Sequence, residues 1–245
     1  MIMKKLILYS MLFLFCISVK SQQKNNFEDW KNKPLPVTPA ENNLPTSDAT
    51  VLFDGKNLEN WQYTNGEKPK WNISGNEFTV TINEPDIYTK QSFGSCQLHA
   101  EWKIPDDETH DNLNWGNSGI YFMGLYEVQI YDSFNDNHKI YYNGQAGSIY
   151  KQHSPLVNAS KPAGTWQSFD IIFTAPVFNN DKTLNTPAFF TVFQNGILVQ
   201  NHVQLTGPTL HTDFTEYKYH ESQLPLMIQS HGSKVSYRNV WIRKI

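Results

Sequence analysis

Arginine is nearly missing from this 245-residue chain, which carries only Arg238 and Arg243. Lysine and arginine together number 20 against 23 acidic residues, and no basic cluster forms. That excludes the phosphate-binding surface which nucleic acid or an anionic membrane requires. Cysteine is as scarce. Cys16 lies inside an N-terminal apolar run, which leaves Cys96 alone in the rest of the chain. No internal disulfide can then form, and an exported form must draw its stability from its core. No window has the period of a long amphipathic helix, and no segment repeats. The one long apolar run, Leu6 to Val19, is too short for a comfortable membrane span. It follows Lys4 and Lys5 and ends at Val19-Lys-Ser21, the pattern of a secretory leader over residues 1–21. A lipid anchor at Cys16 is the competing reading, and bulky Phe15 argues against it. Export to a bacterial periplasm or cell surface is expected. Loss of Lys4, Lys5 and Lys20 with the leader takes the formal charge from −3 to −6.

Residues 22–50 carry Pro34, Pro36, Pro39 and Pro45 among Asn, Thr and Ser, and read as an extended tether. From Val51 to Ile245 the length suits one sandwich-type domain. It holds many short β runs broken by turns. Cys96, Leu98, Ala100, Trp102 and Ile104 alternate with Gln97, His99, Glu101 and Lys103, the pattern of a half-buried strand. Ser74-Gly-Asn76 and Asn195-Gly196 mark hairpins. Leu224 to Gln229 and Val235 to Ile242 read as a closing strand pair around His231-Gly-Ser233. The fold class expected is an all-β sandwich of antiparallel sheets. Aromatics are plentiful, with 7 Trp, 12 Tyr and 15 Phe. Most belong to a core, and a surplus near a cleft favours stacking on sugar rings.

Asn117 to Ser133 is the most informative stretch, two short strands joined at Gly124. On the second, Tyr126, Val128 and Ile130 share one face, while Glu127, Gln129 and Tyr131 share the other. Acid, amide and phenol are thus presented together, which suits sugar chemistry. Tyr121 on the neighbouring strand can join that row. The bland reading of Glu127 is a solvated strand carboxylate, and that of Asp132 is a turn cap. Asn117 can shape the bend or reach a ligand. His231 stands in a Ser-His-Gly turn, and an imidazole is a side chain suited to proton transfer. Lys151, following Tyr150, can bond sugar hydroxyls, serve as a base or simply face water. Arg238 reads first as an ion-pair partner within the last sheet; facing a cleft, its fork of donors would suit an enolate or a carboxylate. His99, Glu101 and Lys103 rank second. No histidine pair has metal-ligand spacing, although ligands from separate strands can converge, which keeps a divalent metal open.

Several motifs, taken in order, resemble one family. They are Val51-Leu-Phe-Asp-Gly-Lys-Asn-Leu-Glu-Asn-Trp61, Gly116-Asn-Ser-Gly-Ile-Tyr-Phe122, Tyr126-Glu-Val-Gln-Ile-Tyr-Asp-Ser133, Gly144-Gln-Ala-Gly-Ser-Ile-Tyr150, Asn158 to Trp166, and Gln229-Ser-His-Gly232 with Tyr237-Arg-Asn-Val-Trp241. Over residues 50–245 the chain is similar to the 3-keto-disaccharide hydrolases, also described as 3-keto-glucoside 1,2-lyase and 2-hydroxy-3-keto-glucal hydratase domains. The resemblance implies a concanavalin A-like jelly roll with a sugar site on a concave sheet. It implies cleavage of 3-keto-glycosides by elimination and hydration; by residue type and placement the candidate catalytic groups are Glu127, His231 and Asp132. Tyr121, Gln129, Lys151, Tyr150, Asn117 and Arg238 would bind an oligosaccharide or glycoside. An oxidoreductase that makes the ketone is the implied pathway partner. Two positions depart from the family pattern: Met123 replaces a frequent Arg, and Ser230 replaces a frequent Asp. A non-catalytic lectin-like module and an ordinary glycoside hydrolase are the rival expectations.

Overall fold

Alternating segments become strands wherever a second layer is available to cover their apolar row, and the chain supplies two such layers. The computed structural model describes residues 33–41, 44–106, 115–136, 140–212 and 215–245. The predicted leader and the first part of the tether lie outside these residues. Strands are numbered in chain order. One antiparallel sheet runs β13 (Ile197–Gln204), β12 (Phe189–Gln194), β9 (Gln167–Thr174), β6 (Cys96–Lys103), β15 (Ser236–Lys244), β4 (Glu77–Thr79), β3 (Asn72–Ser74). Its eighth member, β1 (Thr50–Phe53), pairs with β15. The second sheet has five strands: β2 (Trp61–Gln62), β5 (Ile87–Phe93), β14 (Leu224–Ile228), β7 (Ser118–Phe122) and β8 (Tyr126–Ile130). A small ribbon pairs β10 (Val177–Phe178) with β11 (Leu184–Thr186). This is the expected concanavalin A-like jelly-roll sandwich.

The core lies between the two large sheets. On β6 the row Cys96, Leu98, Ala100 and Trp102 is buried, while His99, Glu101 and Lys103 are half-exposed on the opposite face. Phe122 of the smaller sheet packs 5.1 Å, ring centre to ring centre, from both Phe173 and Phe190 of the larger. Trp102 stands 5.3 Å from Phe169 in the same interior. Each such side chain contributes roughly 1.5–3 kcal/mol by leaving water, so these contacts fix how the sheets sit on one another.

The β12–β13 hairpin turns at Asn195 (φ 53°) and Gly196 (φ 79°), two left-handed residues as the Asn-Gly signal requires. The expected closing pair does not form. β14 bonds β5 and β7 in one sheet, whereas β15 bonds β6, β4 and β1 in the other. Residues 229–235 cross between the layers instead of closing a hairpin, because each strand's apolar row is completed by neighbours remote in sequence. Near the N-terminus, Asp48 accepts two bonds from the Arg243 guanidinium, at 2.6 and 2.9 Å.

Candidate functional site

The site is built on β7 and β8. Their hairpin pairs Tyr121 with Glu127 and Gly119 with Gln129, so these residues share one face. Gly119 supplies space there. A Cβ at that position would lie 2.2 Å from Glu127 Oε1, so the Glu127 carboxyl occupies the volume a side chain would otherwise take. The inner row Tyr126, Val128 and Ile130 is fully buried, as alternation predicts. The outer row is buried too: Glu127 and Gln129 are 2% exposed and Tyr131 is 5% exposed. Glu127 is therefore no solvated strand carboxylate.

Three segments cover that outer row. Gln145 to Tyr150 runs along the free edge of β8: Gln129 N–H donates to Ser148 O at 3.0 Å and Gly147 N–H to Gln129 O at 2.9 Å. Val128 bridges Ile149, which sends Tyr150 toward the Glu127 face. The loop after β13 is held by Thr209, whose N–H donates to Leu125 O and whose Oγ1 accepts the Glu127 N–H, both at 2.9 Å. At the end of β14, Gln229 N–H donates to Gly119 O at 3.0 Å, and its Nε2 donates to the Tyr121 hydroxyl at 3.2 Å. Together they enclose a cleft of about 320 Å³ lined by Asn117, Tyr121, Glu127, Gln129, Tyr150, Thr209, Leu210, His211, Gln229 and His231. His231 also borders a second cleft, with Asn83, Glu84 and Pro85.

Burial dominates the electrostatics. It lifts the Glu127 pKa to about 8, only partly offset by the hydrogen bond that the Tyr121 hydroxyl donates to it. Burial also pushes the Tyr121 phenol well above its ordinary range, and ionisation of Glu127 would push it further. Glu127 is thus mostly a neutral acid near pH 7, poised to give or take a proton. Gln129 Oε1 is buried without a hydrogen-bond partner among the described residues. A buried acceptor left unpaired costs about 1–3 kcal/mol, so a ligand hydroxyl is favoured there. Asp86 stands beside the His231 end. Burial raises its pKa, against a 2.8 Å bond from Ser230 N–H and the charge of His231. It brings a carboxyl group close to the position where Ser230 departs from the family pattern.

Of the residues expected from sequence, Asn117, Tyr121, Glu127, Gln129, Tyr150 and His231 meet in this one cleft. Three others do not. Asp132, expected as a catalytic group, caps a turn by accepting the Phe134 N–H. Lys151, expected to bind substrate, holds its ammonium 3.7 Å from the centre of the Tyr141 ring. Arg238, also expected to bind substrate, is on β15 of the other sheet. Its Nε donates to Glu101 Oε2 at 2.6 Å, and its guanidinium lies 4.1 Å from the centre of the Trp166 ring. In each case a nearer partner captures the group. The second-rank set is also outside the cleft. His99 Nδ1 meets Asp170 at 2.7 Å and Lys103 meets Glu77 at 3.1 Å. Burial opposes charge on His99, but Asp170 and Glu101 outweigh it and hold the imidazole up to about 9.

Thr209, His211 and Asp86 were not anticipated. They come from loops and a strand start with no periodic signal, and Gln229 stood out only as part of a motif. No group of three His, Cys, Asp or Glu side chains converges as a metal-ligand set among the described residues. Among the described residues no helix is long and apolar enough to cross a membrane.

A crystallised Parabacteroides distasonis protein, provisionally assigned as a glycosyl hydrolase, is 42% identical, with a TM-score of 0.81 over 87% of this chain and 94% of that one. A second protein from the same organism, with the same provisional assignment, shares the fold at 20% identity. Its TM-score is 0.60 over 81% of this chain and 94% of its own. Among curated proteins none is significantly similar. A family model matches residues 48–243, nearly the whole sandwich with its cleft, and the chain accordingly belongs to the family of 3-keto-alpha-glucoside-1,2-lyase-like domains.

Proposed function

We propose that this protein is a carbohydrate-active enzyme that cleaves 3-keto-glycosides by elimination across C1–C2 followed by hydration. One observation carries the reading: the cleft has a single carboxyl group among its described lining residues, Glu127, and it is buried. An ordinary glycosidase needs two carboxyl groups astride the bond at set separations. A ketone at C3 changes the demand, because it acidifies the hydrogen on C2. The enzyme then needs a donor at the ketone oxygen, a base at C2 and an acid at the departing oxygen.

Glu127 serves the first need. As a neutral acid it donates to the ketone oxygen and holds the charge that develops on it. Tyr121 keeps the other carboxyl oxygen occupied and is itself fixed by Gln229. Preorganised donors of this kind often accelerate a reaction more than any other single device. His231, beside Asp86, takes the C2 proton and later returns it. Gln129 and Asn117 hold ring hydroxyls. Export by the leader, and an upstream oxidoreductase that installs the ketone, belong to the same proposal.

The test compares 3-keto-glucosides with their parent glucosides, with and without a chelator, in deuterium oxide. Aglycone release from the oxidised substrates alone, with solvent deuterium entering C2, is expected. Release from the parent glucosides alone refutes the mechanism, and binding without turnover of either leaves a lectin.

A further inference from the structure

Among the described residues that line the cleft, Tyr150 is the one whose hydroxyl meets a second phenol. It lies 2.5 Å from the Tyr141 hydroxyl and 3.2 Å from His211 Nδ1. The Tyr141 ring carries the Lys151 ammonium at 3.7 Å. A cation, two phenols and an imidazole thus form one connected row that ends in the cleft, on the segment facing Glu127. We propose, resting on the 3-keto-glycoside reading above, that Tyr150 is the catalytic acid that protonates the leaving oxygen, with Tyr141 and His211 as its positioning residues.

The hydrogen-bond arithmetic permits this. Tyr141 O–H can donate to the Tyr150 oxygen, which leaves the Tyr150 O–H to point at His211 or, with substrate present, at the glycosidic oxygen. Burial, then the Tyr141 bond, holds the Tyr150 phenol above its ordinary pKa, so it is protonated throughout the physiological range. Tyr150 and Glu127 line the same cleft, which places the two groups at one site.

The step balances. His231 takes the C2 proton, the C2–H electron pair becomes the C1–C2 double bond, and the C1–O pair leaves with the aglycone oxygen. That oxygen receives the Tyr150 proton, and the tyrosinate is stabilised by the Tyr141 O–H and the nearby Lys151 charge. In hydration, water gives its hydroxide to C1 and its proton to Tyr150, and His231 returns its proton to C2. No oxidant or metal is consumed.

The test uses two 3-keto-glucosides, one releasing 4-nitrophenolate, which departs without a proton, and one releasing a sugar alcohol. Hydrogen exchange at C2 is followed in deuterium oxide. Tyr150→Phe should keep C2 exchange and nitrophenolate release within a few-fold of wild type. It should lose sugar-alcohol release by about 10²–10⁴, the usual contribution of a general acid. His211→Gln should show a smaller loss confined to the same substrate. Equal losses on both substrates mean a binding or folding role and overturn the assignment, as does no loss on either. A wild-type protein that neither exchanges nor releases fails at the earlier step: it defeats the 3-keto-glycoside reading and the Tyr150 assignment with it.

Discussion

Replacing Gly119 by alanine tests whether the Glu127 carboxyl is held where it is because a side chain is missing opposite it. The added Cβ would meet Glu127 Oε1 at 2.2 Å and both Cδ and Cγ at 3.0 Å. Ordinary contact begins at about 3.5 Å, so the carboxyl has to retreat by roughly 1 Å or the hairpin must open. Overpacking of this kind costs about 1–3 kcal/mol, roughly 2–12 °C in Tm for a domain of this size. A displacement of about 1 Å at a reacting group costs on the order of 10²-fold in turnover. A double-mutant cycle isolates the cause. In a Glu127→Ala background the space is vacant, and the same methyl should cost less than about 0.5 kcal/mol, leaving a coupling of about 1–3 kcal/mol. Thermal unfolding of the four proteins and kcat/KM of the two that keep Glu127 are the assays. Equal Tm losses in both backgrounds, or a fully active Gly119→Ala protein, would refute the reasoning.

Glu127→Gln should flatten the pH dependence of stability. The wild-type carboxyl stays protonated in the fold up to about pH 8, while in the unfolded chain it ionises near its ordinary 4.5. The folded state therefore holds the extra proton across that window, and stability falls as pH rises through it, by about 4 kcal/mol at 1.36 kcal/mol per pH unit. Denaturant melts at pH 4.5, 6 and 8 check this, and an unchanged slope in Glu127→Gln counts against the buried neutral acid. Asp86→Ala removes the acceptor of the Ser230 N–H, a charged bond of about 1.5 kcal/mol. If all of that is felt at His231, kcat falls roughly tenfold with KM little changed. Asp86→Asn, which keeps the acceptor, should recover most of the loss in steady-state kinetics. Arg238→Met should leave kcat/KM at the wild-type value while costing about 1–3 kcal/mol, since Glu101 loses its 2.6 Å partner. A selective loss of activity there would put Arg238 back among the substrate-binding groups.

The features legible in the sequence were those decided by neighbours close along the chain. Alternation placed Tyr126, Val128 and Ile130 in the core and gathered Glu127, Gln129 and Tyr121 on one face, because a tight turn fixes the register of β7 against β8. Asn195-Gly196 marked its hairpin for the same reason. What alternation could not reveal was a second cover. Nothing in Gly147-Ser-Ile-Tyr150 or in Gly207-Pro-Thr209 signals that each docks on β8, so a row that looked solvated turned out buried. Strand partners far apart in sequence were equally hidden. β14 and β15 look like a hairpin until the sheets show each bonded elsewhere. Arg238 followed from the same gap, since its facing depends on which sheet receives β15, and there Glu101 stands directly across from it.

The segment that passes from β14 to β15 joins the layers and bears His231, while Glu127 rides on one layer alone. Phe122, wedged against Phe173 and Phe190, sets the spacing between those layers. The separation of Glu127 and His231, the proton carriers proposed above, is therefore gauged by aromatic rings buried in the core. Trimming such a ring, as in Phe190→Leu, should detune turnover at temperatures where the sandwich is still fully folded, making the interior a calibration element of the catalyst as well as its ballast.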